Sequence, residues 1–199
     1  MSLSADEFWQ WFPKYAARVP SNDIPDRLQD ELIAKLHEYD SRLFFLMSTE
    51  ANARELIITA DGNKDAFGSA DLLVGAAPGL KGWTFVSLKP PMGFDFEHSD
   101  GPISLDVSQL WFLPTHSSTD PPELGVIIGL PNVDFVLERQ SVDTAYTILE
   151  TAIGERSCAG DIAQVSVDEL PVDPDKEDYL PLPQLPDYIA FHKRRYLHG

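Results

Sequence analysis

The stretch Arg42–Phe67, RLFFLMSTEANARELIITADGNKDAF, holds two runs of strand-forming residues separated by a short polar connection. Arg42–Met47 is continuous and apolar, the pattern of a strand covered on both faces. Glu55–Thr59 is rich in β-branched residues, which suit a pleated surface. Ser48–Asn52 between them is short enough for a hairpin, so the two strands are predicted to run antiparallel. A doubly wound parallel sheet requires strict alternation of strand and helix. Two strands in direct succession argue against it.

The end of the same stretch carries Asp61, Asn63 and Asp65 at alternate positions, as an EF-hand loop does at its start. Such a loop needs glycine at its position 6 and a bidentate glutamate at position 12. Counting from Asp61, those places hold Ala66 and Leu72, and the preceding segment reads as strand. The better account is a strand-to-helix connection: Asp61-Gly62 makes the turn, and Asn63 or Asp65 offers an oxygen to the open amides of the helix start.

Outward from there, Phe8, Trp11, Phe12 and Tyr15 recur at helical spacing. Leu28, Leu32 and Leu36 mark a second helix with Pro25 at its entry and early carboxylates at Asp26, Asp30 and Glu31. A helix is predicted over 64–77, with Phe67, Ala70, Leu73, Val74 and Ala77 inward, followed by a strand over 82–88 that Pro90 and Pro91 end. Met92–Asp100 reads as loop or short edge strand, 103–107 and 110–113 as extended pieces, and 116–122 as loop. Leu124–Leu130, LGVIIGL, is a buried strand whose glycines suit close packing. Ser141 is the expected N-cap of a helix through Ala145, Leu149 and Ile153, with Gly154 as its stop. Residues 161–170 alternate as a half-buried edge strand.

The order α-α-β-β-α-β-β-β-β-α-β predicts an α+β fold: a mixed or mainly antiparallel sheet covered by helices. Residues 1–170 are expected to form a single domain. Residues 171–199, rich in proline and acid, are expected as an extended strap or tail with polyproline character, anchored by Tyr179, Leu180, Leu182 and Leu185. No internal repeat is visible.

The 199 residues include 32 Asp and Glu against 15 Lys and Arg, a net charge of −17. A field of that sign repels phosphate backbones, so nucleic acid is not expected as a partner. The one basic cluster is His192–Arg195. Cys158 is the sole cysteine, which leaves neither an internal disulfide nor a thiolate metal cluster. The N-terminus lacks the order of a signal peptide, and no run approaches about 18 apolar residues, so a cytoplasmic protein without membrane contact is expected.

Among motifs that carry chemistry, FDFEHSDG (Phe94–Gly101) gathers Asp95, Glu97, His98 and Asp100. Carboxylates and imidazole bind divalent ions, and residues two apart on a strand share a face, which would align Asp95 with Glu97. The stretch has one imidazole and ends in turn residues, so a solvated loop is the plainer reading and these four are the weak metal candidates. His37, His116, His192 and His198 carry no ligand spacing, and Cys158 has no flanking signature. There is no G-x-S-x-G elbow and no phosphate loop. No catalytic residue and no cofactor are assigned. Trp83, Phe85 and Trp111 are the candidates for a ligand pocket, although aromatics at strand spacing are usually core.

TAYTILETAIGERS (Thr144–Ser157) followed by DIAQVSVDELP (Asp161–Pro171) resembles a group of bacterial proteins of unknown function, in which a helix A-x-x-x-L-(D/E)-x-x-x-G-E precedes a strand and a proline-rich end. Ala145, Leu149, Glu150, Gly154 and Glu155 occupy those positions. Glu55–Phe67 and Ala76–Pro90 resemble their strand–helix–strand section, with Trp83 and Lys89-Pro90 recognisable. The resemblance covers about half the chain, implies an α+β domain of bacterial origin, and brings no catalytic residues. The functional expectation is a non-enzymatic protein-binding or regulatory domain, immunity-like, whose acidic surface suits a basic partner. The alternatives are a hydrolase or metal-dependent enzyme built near Asp95, Glu97 and His98, and a small-ligand-binding domain.

Overall fold

The computed structural model describes residues 3–21, 23–50, 53–100, 103–131 and 138–197. The fold is α+β, and the chain divides into two compact units, Met1–Pro90 and Pro91–Gly199.

In the first unit, α1 (Ala5–Ala16) opens with a capping box between Ser4 and Glu7, which satisfies amides that a helix start leaves open. Next come α2 (Asp26–Tyr39), the hairpin β1 (Phe44–Glu50) and β2 (Ala53–Thr59), then α3 (Lys64–Gly75) and β3 (Trp83–Ser87). The sheet order is β1-β2-β3, with β1 antiparallel and β3 parallel to β2. Alternation puts Trp83 and Phe85 on the face that meets α1, where Phe85 lies 4.6 Å from Trp9 and Trp83 lies 5.1 Å from Phe12 between ring centres. The Trp9 indole donates 2.6 Å to the Leu73 carbonyl, tying α1 to α3.

The other face holds Phe44 and Leu46, 44% and 48% exposed, beside half-buried Ile57 and Val86. This corrects the expectation that β1 is covered twice. With one helical layer on a three-stranded sheet, only one face is buried within the unit.

The second unit begins with a small hairpin, β4 (Glu97–Asp100) and β5 (Ile103–Asp106). It continues with β6 (Trp111–His116), β7 (Leu124–Leu130), α4 (Glu138–Ile153), α5 (Glu155–Asp161), β8 (Gln164–Glu169), β9 (Leu180–Pro181) and α6 (Leu185–His192), then a π turn at Lys193–Leu197. The larger sheet runs β8-β7-β6-β9, with β6 antiparallel and β8 parallel to β7. Val126 and Ile128 of β7, Phe112 of β6, Ile148 and Leu149 of α4, and Leu182, Leu185 and Ile189 from the C-terminal segment share one core.

Two local expectations change, and a third holds with an addition. Ser141 lies inside α4, which already runs from Glu138, so it is not the N-cap. Gly154, at φ +81°, ends α4 but the chain restarts at once as α5, since a positive φ redirects the backbone without a loop. PLPQLP is not an extended strap throughout: Pro186 sits in the first turn of α6, where its missing N–H costs nothing, and Leu185 and Ile189 supply the buried face.

Both units contain the same core topology, an antiparallel hairpin whose second strand pairs in parallel with a strand reached through helix. Leu46 faces Ile57 and Ile57 faces Val86 in the first, as Leu113 faces Ile127 and Ile127 faces Ser166 in the second. The two units therefore share a strand–strand–helix–strand topology, although no repeat is visible in the sequence.

Candidate functional site

The strand-to-helix connection after β2 is built as a turn and a cap. Asp61 and Gly62 take φ +50° and +78°, and the Asn63 amide donates back to the Ala60 carbonyl at 3.0 Å. Asn63 Oδ1 accepts from the Asp65 amide at 3.1 Å as α3 begins, while Lys89 reaches Asp61 at 3.2 Å. The side chains of Asp61 and Asn63 thus have structural employment. Among the described residues, no three His, Cys, Asp or Glu side chains assemble as a metal set.

The Asp95–Asp100 candidates do not share one face. Asp95 precedes β4, so the two-residue strand period does not align it with Glu97. Glu97 is exposed and pairs in register with Asp106, whereas His98 is half-buried opposite Leu105. Consecutive strand residues point to opposite faces, which separates the carboxylate of Glu97 from the imidazole of His98. The Asp100 side chain lies outside the description.

Of the three aromatic candidates, Trp83 and Phe85 belong to the first unit and Trp111 to the second. The rings of Trp83 and Phe85 stack at 6.2 Å, and Phe12 packs edge-on against both. Arg54 lies over Trp83 at 5.5 Å and donates to the Ala16 carbonyl. These contacts place Trp83 and Phe85 in the packing between the sheet and α1. Trp111 is half-buried, in register with Gly129 and Pro181. A cleft of about 310 Å3 in the first unit is lined by Arg18, Arg27, Leu28 and Glu31, but Arg18 is already paired with Glu31.

Two arrangements escape motif reading. The first is an acidic arm formed by the end of β8 and the segment after it. Asp168, Glu169, Asp173, Asp175, Glu177 and Asp178 are all exposed, Lys176 is engaged by Asp173 at 2.9 Å, and Val172 is fully exposed among them. The arm belongs to a unit that holds 19 of the 32 acidic residues and 6 of the 15 basic ones, which is −13 of the total −17.

The second is a cluster that joins β6 to the end of α6. His116 and His192 stack with ring centres 5.3 Å apart and planes 19° apart. Tyr196 lies 5.0 Å from His192 and 5.6 Å from His116, and the Tyr188 hydroxyl is 3.4 Å from His116 Nε2. His192 is 4% exposed, and its buried Nε2 has no hydrogen-bond partner among the described residues. Its ring also bonds the Pro122 backbone, so Nδ1 is the nitrogen that donates there. Burial first, and then the neighbouring His116, hold its pKa below the ordinary imidazole value, against the Pro122 bond. Lone pairs lie in the ring plane, so nearly parallel rings at this separation do not converge on one cation. Tyr188, His192 and Tyr196 recur at helical spacing, but His116 is remote from them, and no spacing could have announced that it joins them.

The basic cluster is partly spent on the protein itself: His192 is buried and Lys193 pairs with Asp161 at 2.8 Å, which Ser157 also bonds at 2.8 Å. Among the described residues, no helix is long and apolar enough to cross a membrane. Comparison of the chain with protein-family models, with curated proteins and with solved structures finds no match in any of the three.

Proposed function

We propose that the protein is a non-enzymatic protein-binding domain, of the regulatory or toxin-neutralising kind, whose acidic second unit receives a basic partner. The observation that carries this reading is the exposed arm at 168–178, with six carboxylates, one paired lysine and a fully exposed Val172. Charge of one sign steers an oppositely charged partner and speeds encounter, while an exposed apolar side chain offers a contact that charge alone does not. An enzyme built on Asp95, Glu97 and His98 finds no comparable support, because the strand pleat turns Glu97 and His98 apart.

The test compares the wild type with a variant carrying Asp173→Asn, Asp175→Asn, Glu177→Gln and Asp178→Asn. Asp178 has φ +60°, a conformation asparagine accepts well. Both are used to capture protein from an extract of the native host at low and at moderate salt. The reading requires a basic protein held by the wild type, released as salt rises, and lost by the variant. Retention that ignores both salt and the four substitutions would dispose of it.

A further inference from the structure

We propose that His192 is an acid-sensitive latch: proton uptake at its buried Nε2 frees the end of α6 and the turn that follows from the β6–β7 hairpin. With Nδ1–H given to the Pro122 backbone, Nε2 carries a lone pair in the neutral ring and faces no donor. A second proton there creates a cationic N–H with no acceptor, in a site closed to water. A buried, unsatisfied charge is among the costliest groups a fold can hold. Opening the latch gives that N–H to solvent.

The surroundings offer little compensation. From β6 comes His116, whose imidazole stacks directly on His192, carries no carboxylate and disfavours a charge there. From α6 and its turn come Tyr188, Tyr196 and Arg195, the last 5.4 Å above the Tyr196 ring, none of them a carboxylate. From α5 comes Asp161, already bonded by Lys193 and Ser157. The exposed Glu123 follows Pro122, and its backbone is bonded to Ser117. Two forces resist opening: the Lys193–Asp161 pair, part-exposed and therefore weak, and the preference of a helix end for a cation, which Lys193 and Arg194 already meet.

The sign follows from linkage. The pKa of His192 is lowered in the folded state, so above the ordinary imidazole value both states are neutral and the latch has full strength. As pH falls below that value, the open state takes the proton first and docking weakens. Each pH unit by which the folded pKa is lowered multiplies the opening equilibrium about tenfold once the pH is below both values.

Amide hydrogen exchange on the full chain tests this, with protection corrected for intrinsic rate at about pH 7.5 and about pH 5.5. The expected result is a several-fold loss of protection across Ile189–Tyr196 at the lower pH, while Val126 and Ile128 of β7 keep theirs, and no such loss in His192→Phe. Unchanged α6 protection in the wild type, loss in step with β7, or equal loss in the variant each overturns the proposal. Should the variant not fold, NMR titration of the wild-type His192 ring decides: a midpoint below that of a free imidazole supports the latch, and one at or above it removes it.

Discussion

Gly129 lies on β7 where an added Cβ would come within 2.7 Å of Leu170 Cδ1 and 3.1 Å of Tyr179 Cε1. Tyr179 is buried by the C-terminal segment crossing this strand, so its ring has little room to withdraw. Gly129→Ala is expected to cost about 1–3 kcal/mol, the usual penalty of overpacking, read from the urea midpoint. At Gly125 the corresponding obstacle is the hydroxyl of the exposed Thr115, which can rotate, so Gly125→Ala should cost clearly less in the same assay. Tyr15 makes a pH prediction. Burial first and Glu31 second push its phenol up to about 12, and its hydroxyl donates to the Leu28 carbonyl at 3.1 Å. A raised folded pKa leaves stability intact below pH 10. Above it the unfolded chain ionises while the folded one does not, and about 2–3 kcal/mol is lost by about pH 12. Other tyrosines are raised too, so the difference between wild type and Tyr15→Phe isolates this one. The variant should start about 1 kcal/mol less stable and lose less on the alkaline side.

The connection from β2 into α3 shows what a single element asks of its sequence. Asn63→Ala removes the side-chain acceptor for the Asp65 amide and should lower stability by about 1 kcal/mol. Gly62→Ala meets nothing within 4 Å, so any loss comes from holding φ +78°, again about 1 kcal/mol by denaturant titration. Both residues were legible because turns and caps are local: the chain needs only its neighbours to satisfy them. The same holds for the first hairpin, for the inward Phe67, Ala70 and Leu73 of α3, and for the stop at Gly154. Legibility fails where the decision is made by distant residues. PLPQLP becomes helix because Leu185 and Ile189 find a core that β6, β7 and α4 have built. The His116–His192 stack exists only once α6 docks. The shared topology of the two units has a trace in RLFFL (Arg42–Leu46) and QLWFL (Gln109–Leu113), which occupy equivalent places in the two hairpins. It was obscured because sheet positions demand only apolar character at alternate sites, and that demand leaves little identity to detect.

Charge acts on the molecule as a whole, and it acts unevenly. The second unit carries −13 and the first −4, so self-repulsion is concentrated where the acidic arm and α4–α6 lie. Two opposing effects of salt can be weighed. Screening weakens ion pairs, but Arg18–Glu31, Lys35–Glu38 and Lys176–Asp173 each have at least one well-exposed partner, and such pairs are worth about 0–1 kcal/mol. Screening also relieves repulsion among 32 carboxylates set against 15 basic groups, an imbalance that compaction makes worse. The second effect should win, because it scales with the net charge, whereas the pairs are few and already weak. Thermal unfolding by circular dichroism is therefore expected to shift upward as sodium chloride rises through the range in which the Debye length shrinks to about 10 Å and below. The variant with four neutralised side chains on the arm should begin higher at low salt and respond less. A midpoint that falls with salt would mean that ion pairs, not net repulsion, set the balance, and it would weaken the case that the acidic arm is open to an external partner.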